Sequence, residues 1–248
     1  MSEQTVQSAQ RIFRLLELLA RQGTMGVTEL STASGLNKTT VFRQLNTLIE
    51  LGYVCRDAAG RYRLTLKLLT VAGWQLARSD LRAEVHPYLC ELAEAGGETV
   101  HLVQREGSQI VYIDKVEPTV NSVRMVSRVG LRQPMTCTAV GKALLAALPA
   151  SERTAIWAAD PPQPLTAHTI VRWPDFEAEM ARVRACGYAT DDEENELGVR
   201  CVAVALPDFA GGARCAVSIS APITRLPDRR VPELAALLLD MKRKIENQ

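Results

Sequence analysis

The chain has no CxxC pair: its six cysteines (Cys55, Cys90, Cys137, Cys186, Cys201 and Cys215) are scattered over 248 residues. This excludes a zinc ribbon or disulfide scaffold and fits a reducing, cytoplasmic compartment. Long apolar runs are missing too. Nothing approaches the roughly 20 apolar residues of a membrane span, because Lys142 and the Arg/Glu-rich helical segments interrupt each candidate. No membrane partner is expected. The start, MSEQTVQSAQRIFRLLELLA, lacks a secretory pattern: its apolar part is amphipathic, broken by Arg14 and Glu17, with no small-residue cleavage site after it. Three histidines occur (His86, His101, His168), no two of them within a turn of each other. Nucleophile-elbow, zincin, P-loop and dinucleotide-binding glycine motifs are all absent. Neither a metal nor a cofactor is expected. There is no internal repeat and no low-complexity tract. With 47% apolar and 23% charged residues the composition is ordinary globular. The length allows one large domain or two ordinary ones.

Net charge is also nearly absent, at +1, but that balance hides an asymmetry. Residues 1–78 hold ten Lys/Arg against five Asp/Glu, whereas the remainder holds 19 against 23. A small basic segment tied to a larger, mildly acidic one fits a polyanion-binding module carried by something else.

The pattern of the first segment sharpens this. Ile12, Leu15, Leu16, Leu18 and Leu19 recur at helical spacing between Ala9 and Arg21, and Gly23 and Gly26 end that helix. Thr28 is placed to cap a short second helix with Leu30 and Ala33 inside. Ser34-Gly35-Leu36 reads as a tight turn in which Gly35 takes a positive φ without steric cost. Asn37 then caps a third helix, KTTVFRQLNTLIEL, which Gly52 stops. At 100° per residue Val41, Leu45, Leu48 and Ile49 form one stripe, with Thr39, Thr40, Arg43 and Thr47 opposite. A purely structural helix usually shows Glu/Lys pairs there. These hydroxyls and this guanidinium can instead donate to phosphates and base edges in a major groove. YVCR, a turn ending in Gly60, and RYRLT read as a hairpin with Arg61 and Arg63 on one side of its second strand. Helix, short helix, turn, helix and basic hairpin is the order of a winged helix-turn-helix. The residues expected on double-stranded operator DNA are Asn37, Lys38, Thr39, Thr40, Arg43, Arg61 and Arg63.

The stretch from Leu66 to Gly97 is largely helical, punctuated by Pro87 and Gly96-Gly97. Leu66, Leu69, Val71 and Leu76 are too apolar for a free linker, so a connecting helix packed on a second chain's counterpart is expected. Packing on its own domain is the alternative. Beyond it, TVHLVQ, QIVYIDKV and SVRMVS alternate as antiparallel strands. CTAVGKALLAAL is a helix opened by Thr136, and PDFEAEMARVRACG a helix ending at Gly187. Strand, acidic loop, strand follows in YATDDEENELGVRCVAVAL, then a strand in ARCAVSISA and a closing amphipathic helix, VPELAALLLDMKRKIEN. This is an α+β arrangement, a curved antiparallel sheet flanked by helices. The run DDEENE reads first as a solvated loop. Backbone amides between Thr136 and Gly141, with Ser218 and Ser220 on one face of their strand, are suited to holding a small anion. Two other classes stay open: an enzyme with Cys137 or Cys201 as nucleophile and a basic cap domain, and an architectural DNA binder with a vestigial sensor.

Read together, GLNKTTVFRQLNTLIELGYV, GRYRLTLKLL, GETVHL, IVYIDKVEP, RMVSRVGLRQPMTCTAVGKALLA, PLTAHTI, GYATDDEENELGVRCVAV and AVSISAPITRL resemble the IclR family of bacterial transcription regulators over nearly the whole chain. The resemblance implies a winged helix-turn-helix over residues 1–65, a linker helix over 66–80 and a GAF/PAS-like effector-binding domain over 81–248. It also implies a homodimer, a tetramer built as a dimer of dimers, and a small carboxylate effector, commonly a 2-oxo acid. Carried over residue by residue, the effector pocket would involve Met125, Ala139, Val140, Asp191, Val199, Cys201, Ser218 and Ser220. Some members carry a smaller residue where Val140 stands, so this valine is expected to narrow the space over the amides. NELGVRCVAV, IDKVEP and RLTLKLL are most similar to regulators of sugar-acid catabolism of the 2-keto-3-deoxygluconate-sensing type. Regulators of aromatic-acid degradation are the runner-up.

Overall fold

The computed structural model describes residues 6–77, 80–118, 125–206 and 214–247. These fall into two compact units, residues 1–78 and 79–248.

In the first unit, α1 (Gln7–Gln22) buries Leu15, Leu16 and Leu19 and stops at Gly23, whose φ is 79°. The next helix, α2 (Val27–Ser34), is capped at Gly26 and so starts two residues earlier than a Thr28 cap requires. Its entry is sealed by Glu29, whose carboxylate accepts the Gly26 N–H at 2.7 Å. An acid in the third helical position reaching back to the cap amide takes the place of the hydroxyl. Gly35 adopts the left-handed conformation, φ 71°, and turns the chain into α3 (Lys38–Glu50). There the Asn37 side chain accepts the Thr40 N–H at 2.8 Å. The buried stripe of α3 is Val41, Gln44, Leu45 and Leu48; Ile49 stands at the edge, 36% exposed, one residue before the helix ends. Strands β1 (Val54–Arg56) and β2 (Tyr62–Leu64) pair antiparallel, with Cys55 opposite Arg63. Met25 adds a further backbone bridge to Tyr62, whose ring fills the core between Leu15, Leu30 and Val54. The last helix of this unit, α4 (Lys67–Ala77), buries none of its residues, and Leu66, Leu69, Val71 and Trp74 are exposed.

The second unit opens with α5 (Asp80–Gly96), which continues through Pro87 rather than breaking there. Six strands follow among the described residues: β3 (Thr99–Glu106), β4 (Gln109–Val116), β5 (Arg132–Pro134), β6 (Ala189–Asp192), β7 (Val199–Leu206) and β8 (Cys215–Pro222). Their order across the sheet is β5-β4-β3-β8-β7-β6, every pair antiparallel. The strand expected over SVRMVS is not formed at its described end: Met125 to Ser127 is irregular, residues 122–124 lie outside the described residues, and the strand beside β4 is β5 instead. Among the described residues four further α-helices complete the unit, α6 (Ala139–Ala147), α7 (Ala150–Ala159), α8 (Trp173–Cys186) and α9 (Val231–Glu246), the last preceded by a short 3-10 turn over Asp228–Arg230; α7 has no separate signal in the sequence. Strand alternation divides the sheet into two apolar faces. Val100, Leu102, Val202, Val217 and Ile219 pack under α5 and α9. Val103, Ala203 and Ala216 pack under α6 and α8, with Leu144, Phe176 and Met180.

Candidate functional site

On the first unit, Lys38, Thr39, Arg43 and Thr47 lie exposed along the outer side of α3, with Thr40 half-buried beside them. Asn37 is at the helix start, but its side-chain oxygen is committed to the cap. On the wing, Arg63 is exposed, whereas Arg61 is partly exposed and engaged with the first turn of α2. The Arg61 guanidinium donates to Glu29 Oε2 at 2.9 Å and to the Thr24 carbonyl at 2.7 Å. Arg61 therefore ties the wing to the start of α2, with part of its side chain still exposed beside that pair.

On the second unit, the α6 side of the sheet carries a polar row. Register places Asp191 opposite Cys201, Cys201 opposite Ser220, and His101 opposite Ser218. Above this row lie the start of α6 and the segment from Met125 to Ser127, and between them is a cavity of about 120 Å³. All eight residues expected there, Met125, Ala139, Val140, Asp191, Val199, Cys201, Ser218 and Ser220, line it. The helix cap is Thr138 rather than Thr136: Thr138 Oγ1 accepts the Gly141 N–H at 3.2 Å and donates to the Pro134 carbonyl at 2.9 Å. Ala139 and Val140 thus hold the first helical amides, which have no partner within the helix.

His101, Tyr112, Ser127 and Thr138 also line the cavity and were not singled out for it. His101 Nε2 lies 2.6 Å from Ser127 Oγ, and Nδ1 lies 3.3 Å from Ser220 Oγ and 3.5 Å from Ser218 Oγ. Burial, helped by the charge of Lys115, pushes His101 down to about 3, so the ring is neutral at physiological pH. Lys115 itself donates to the carbonyls of Met125 at 2.9 Å and Ser127 at 2.7 Å, tying that segment over the row. The signal for His101 was its phase in β3, opposite to Val100 and Leu102. Only the sheet order, which sets β3 beside β8, gives that phase a neighbour.

Beside the cavity the acidic run is partly buried, unlike the solvated loop expected. Asp191 Oδ1 accepts the Glu194 N–H at 2.8 Å and the Asn195 N–H at 3.3 Å, and burial pushes Asp191 up to about 6. Glu194 pairs with the ammonium of Lys142, which also donates to Glu179 at 3.1 Å. Lys142 is 1% exposed. Burial raises Glu194 to about 7 even against that ammonium. The thiols are poor nucleophiles here: burial raises Cys201 and pushes Cys137 up to about 12.

A winged helix-turn-helix carried on one chain with a module that encloses a small polar cavity defines a ligand-responsive transcription regulator. Profiles of two known domains match this chain: the IclR helix-turn-helix domain over residues 8–58 and the bacterial transcriptional regulator IclR C-terminal domain over residues 74–247. The chain belongs to the IclR family of bacterial transcription regulators. It is 36% identical over 245 residues to the HTH-type transcriptional regulator KdgR of Escherichia coli K12, covering 98% of this chain and 93% of that protein. With the DNA-binding transcriptional repressor YiaJ of the same organism it shares 36% identity over 247 residues, 97% of this chain and 88% of that one. The crystal structure of Thermotoga maritima IclR superposes with a TM-score of 0.82 at 30% identity, over 97% of this chain and 98% of that chain. These relatives are DNA-binding regulators, not enzymes, so the cysteine-nucleophile reading is set aside.

Proposed function

We propose that this chain controls a catabolic operon, and that a small carboxylate bound in the cavity of residues 81–248 sets its affinity for a pseudo-palindromic operator. The lining of the cavity carries the reading. Among the described residues it presents hydroxyls of Tyr112, Ser127, Ser218 and Ser220, a neutral imidazole and the amides of Ala139 and Val140, beside the carboxyl groups of Asp191 and Glu196 and with no lysine or arginine. An anion there is held by helix-start amides and hydroxyls, and an oxo or hydroxyl group beside it by His101 and the two strand serines. These donors suit a small 2-oxo or sugar acid, whose carboxylate, oxo and hydroxyl groups they can meet; an aromatic acid is the alternative.

In this reading, residues 1–65 bind DNA and residues 66–80 form the linker. The exposed apolar side chains of Leu66, Leu69, Val71 and Trp74 support pairing of two chains into a homodimer, with a tetramer as its dimer. Since operator DNA is the partner, the protein works in the cytoplasm. An effector shifts the operator equilibrium only through its differential affinity for two states, typically ~1–3 kcal/mol of coupling.

Titrating the protein onto DNA from upstream of its own and neighbouring genes, with a panel of short 2-oxo, sugar and aromatic acids, tests this directly. One compound should shift a sequence-dependent isotherm. The double substitution of Ser218 and Ser220 by alanine should weaken that compound about tenfold and leave operator binding without it unchanged. An unaltered response would place the effector elsewhere. On the DNA side, Arg43→Ala should lose about 1–3 kcal/mol of specific binding, and Arg63→Ala should weaken all sequences alike and reduce the salt slope by about one. Arg61→Ala should lower the stability of the wing without that loss of slope. Equal slopes for the two wing variants would contradict their different placement.

A further inference from the structure

Helix α5 carries Arg82, His86 and Cys90 at four-residue intervals, so the three share a face, and Asp114 of β4 meets them there. Asp114 is 4% exposed; its Oδ2 lies 2.7 Å from His86 Nδ1 and 3.3 Å from Arg82 Nε. Its Oδ1 accepts the Lys115 N–H at 2.9 Å. A carboxylate paired with arginine only accepts hydrogen bonds, so the proton shared with the ring resides on Nδ1. That leaves the lone pair of Nε2 directed outward, where Cys90 Sγ lies at 3.6 Å. Thiol, imidazole and carboxylate stand in the order of a nucleophile, its base and the group that orients the base. None of the three lines the effector cavity, and effector binding gives them no task.

The other thiols are placed differently. Of the six cysteines, Cys90 is the exposed one. Cys137 and Cys215 are buried, and Cys186 is half-buried with its thiol directed to the Tyr188 carbonyl at 3.1 Å. Cys55 and Cys201 are half-buried too, and none of these five has an imidazole held by a carboxylate at its sulfur among the hydrogen bonds described.

We propose that Cys90 is a modification site, a surface thiol that His86 and Asp114 make reactive toward hydroperoxides. The Cys90 sulfur attacks one peroxide oxygen; the S–O bond forms as the O–O bond breaks. His86 Nε2 takes the thiol proton and passes it to the departing oxygen, which leaves as water from hydrogen peroxide or as an alcohol from an organic hydroperoxide. The sulfur loses two electrons and becomes a sulfenic acid, and the peroxide gains the same two. Asp114 keeps the ring in the competent tautomer and stabilises the imidazolium while it carries the proton. The sulfenic acid, lying at the surface, can then condense with a small thiol to a mixed disulfide with loss of water.

The full-length protein treated with limiting hydrogen peroxide, with sulfenic acid trapped by dimedone and each cysteine peptide quantified by mass spectrometry, tests the proposal. Cys90 should be labelled first, about tenfold or more faster than Cys55 or Cys186. In His86→Gln, which retains an exposed polar side chain but no base, the Cys90 rate should fall about tenfold, while circular dichroism and melting match the parent. Asp114→Asn should lower the rate as well, and conservative retention of His86 in that variant separates loss of orientation from loss of the base. Labelling of Cys90 no faster than Cys55, or a Cys90 rate unchanged in His86→Gln, overturns it.

Discussion

Replacing Lys142 by methionine is expected to destabilise the C-terminal unit by about 3–5 kcal/mol, the cost typical of removing one partner from a buried ion pair. The ammonium sits between Glu194 and Glu179 with almost no access to water. Glu179 keeps Arg182, which donates to both its oxygens at 2.7 and 2.8 Å. Although burial raises Glu179, Arg182 and Lys142 together hold it below its ordinary value. Among the described residues Glu194 has no such second cation, and its other oxygen is buried without a hydrogen-bond partner there.

The loss depends on pH, with a defined sign. Glu194 already binds its proton more tightly in the folded chain, at about 7, than an ordinary glutamate does. Between the ordinary value and about 7 the folded state therefore holds more protons than the unfolded one, so this group's contribution is present at low pH and is lost as pH rises through about 7. Without Lys142 the folded value moves higher still, and the falling window extends upward. Urea unfolding followed by the fluorescence of Trp157 and Trp173, which pack against Phe176 of α8, should show a larger deficit at pH 8 than at pH 6. A second change, Glu194→Leu, should restore part of the loss. A deficit independent of pH and not relieved by the second change would mean that packing, not charge, sets it.

Gly141→Ala is the other severe change expected. A methyl built on Gly141 falls inside the van der Waals envelope of the Met135 carbonyl oxygen and Cα. Both obstacles are backbone, so no side chain can swing aside, and relief requires α6 to move. The cost should reach about 3 kcal/mol, the upper part of the range for overpacking. Because the same movement displaces the amides of Ala139 and Val140, effector binding measured by calorimetry should weaken along with the melting temperature. A variant that melts with the parent and binds effector as tightly would show that this close approach is dispensable.

Local signals account for the parts of the fold that were legible beforehand. Asn37 capping, the left-handed Gly35 and the apolar spacing of α1 and α3 are written within four or five residues, and the α+β character follows from alternating and helical periods in turn. Short-range rivalry explains the misplaced starts. Thr136 and Thr138 are equally good hydroxyl caps, and the choice is made by Thr138 reaching the Pro134 carbonyl. Thr28 lost to Glu29 through a bond back to Gly26. What was illegible is long-range: Arg61 meets Glu29 across 32 residues and Lys142 meets Glu194 across 52. In the candidate site, the eight residues carried over from the family face one cavity, yet His101 and Lys115 needed the strand order β4-β3-β8 before either had anything to touch.

The pleat of β3, β7 and β8 separates recognition from cohesion. His101, Cys201, Ser218 and Ser220 face the cavity, while their chain neighbours Leu102, Val202, Val217 and Ile219 face α5 and α9. If the cavity holds the effector as proposed, a substitution at one of the four alters what it accepts and leaves the opposite apolar layer intact, because adjacent side chains on a strand point to opposite faces. Descendants of such a chain can change the compound they answer to by single steps, each tolerated by the scaffold. An inserted or deleted residue in any of these strands would instead exchange the two faces at once. Divergence in ligand preference should therefore accumulate as point replacements at alternate positions, with strand lengths held constant.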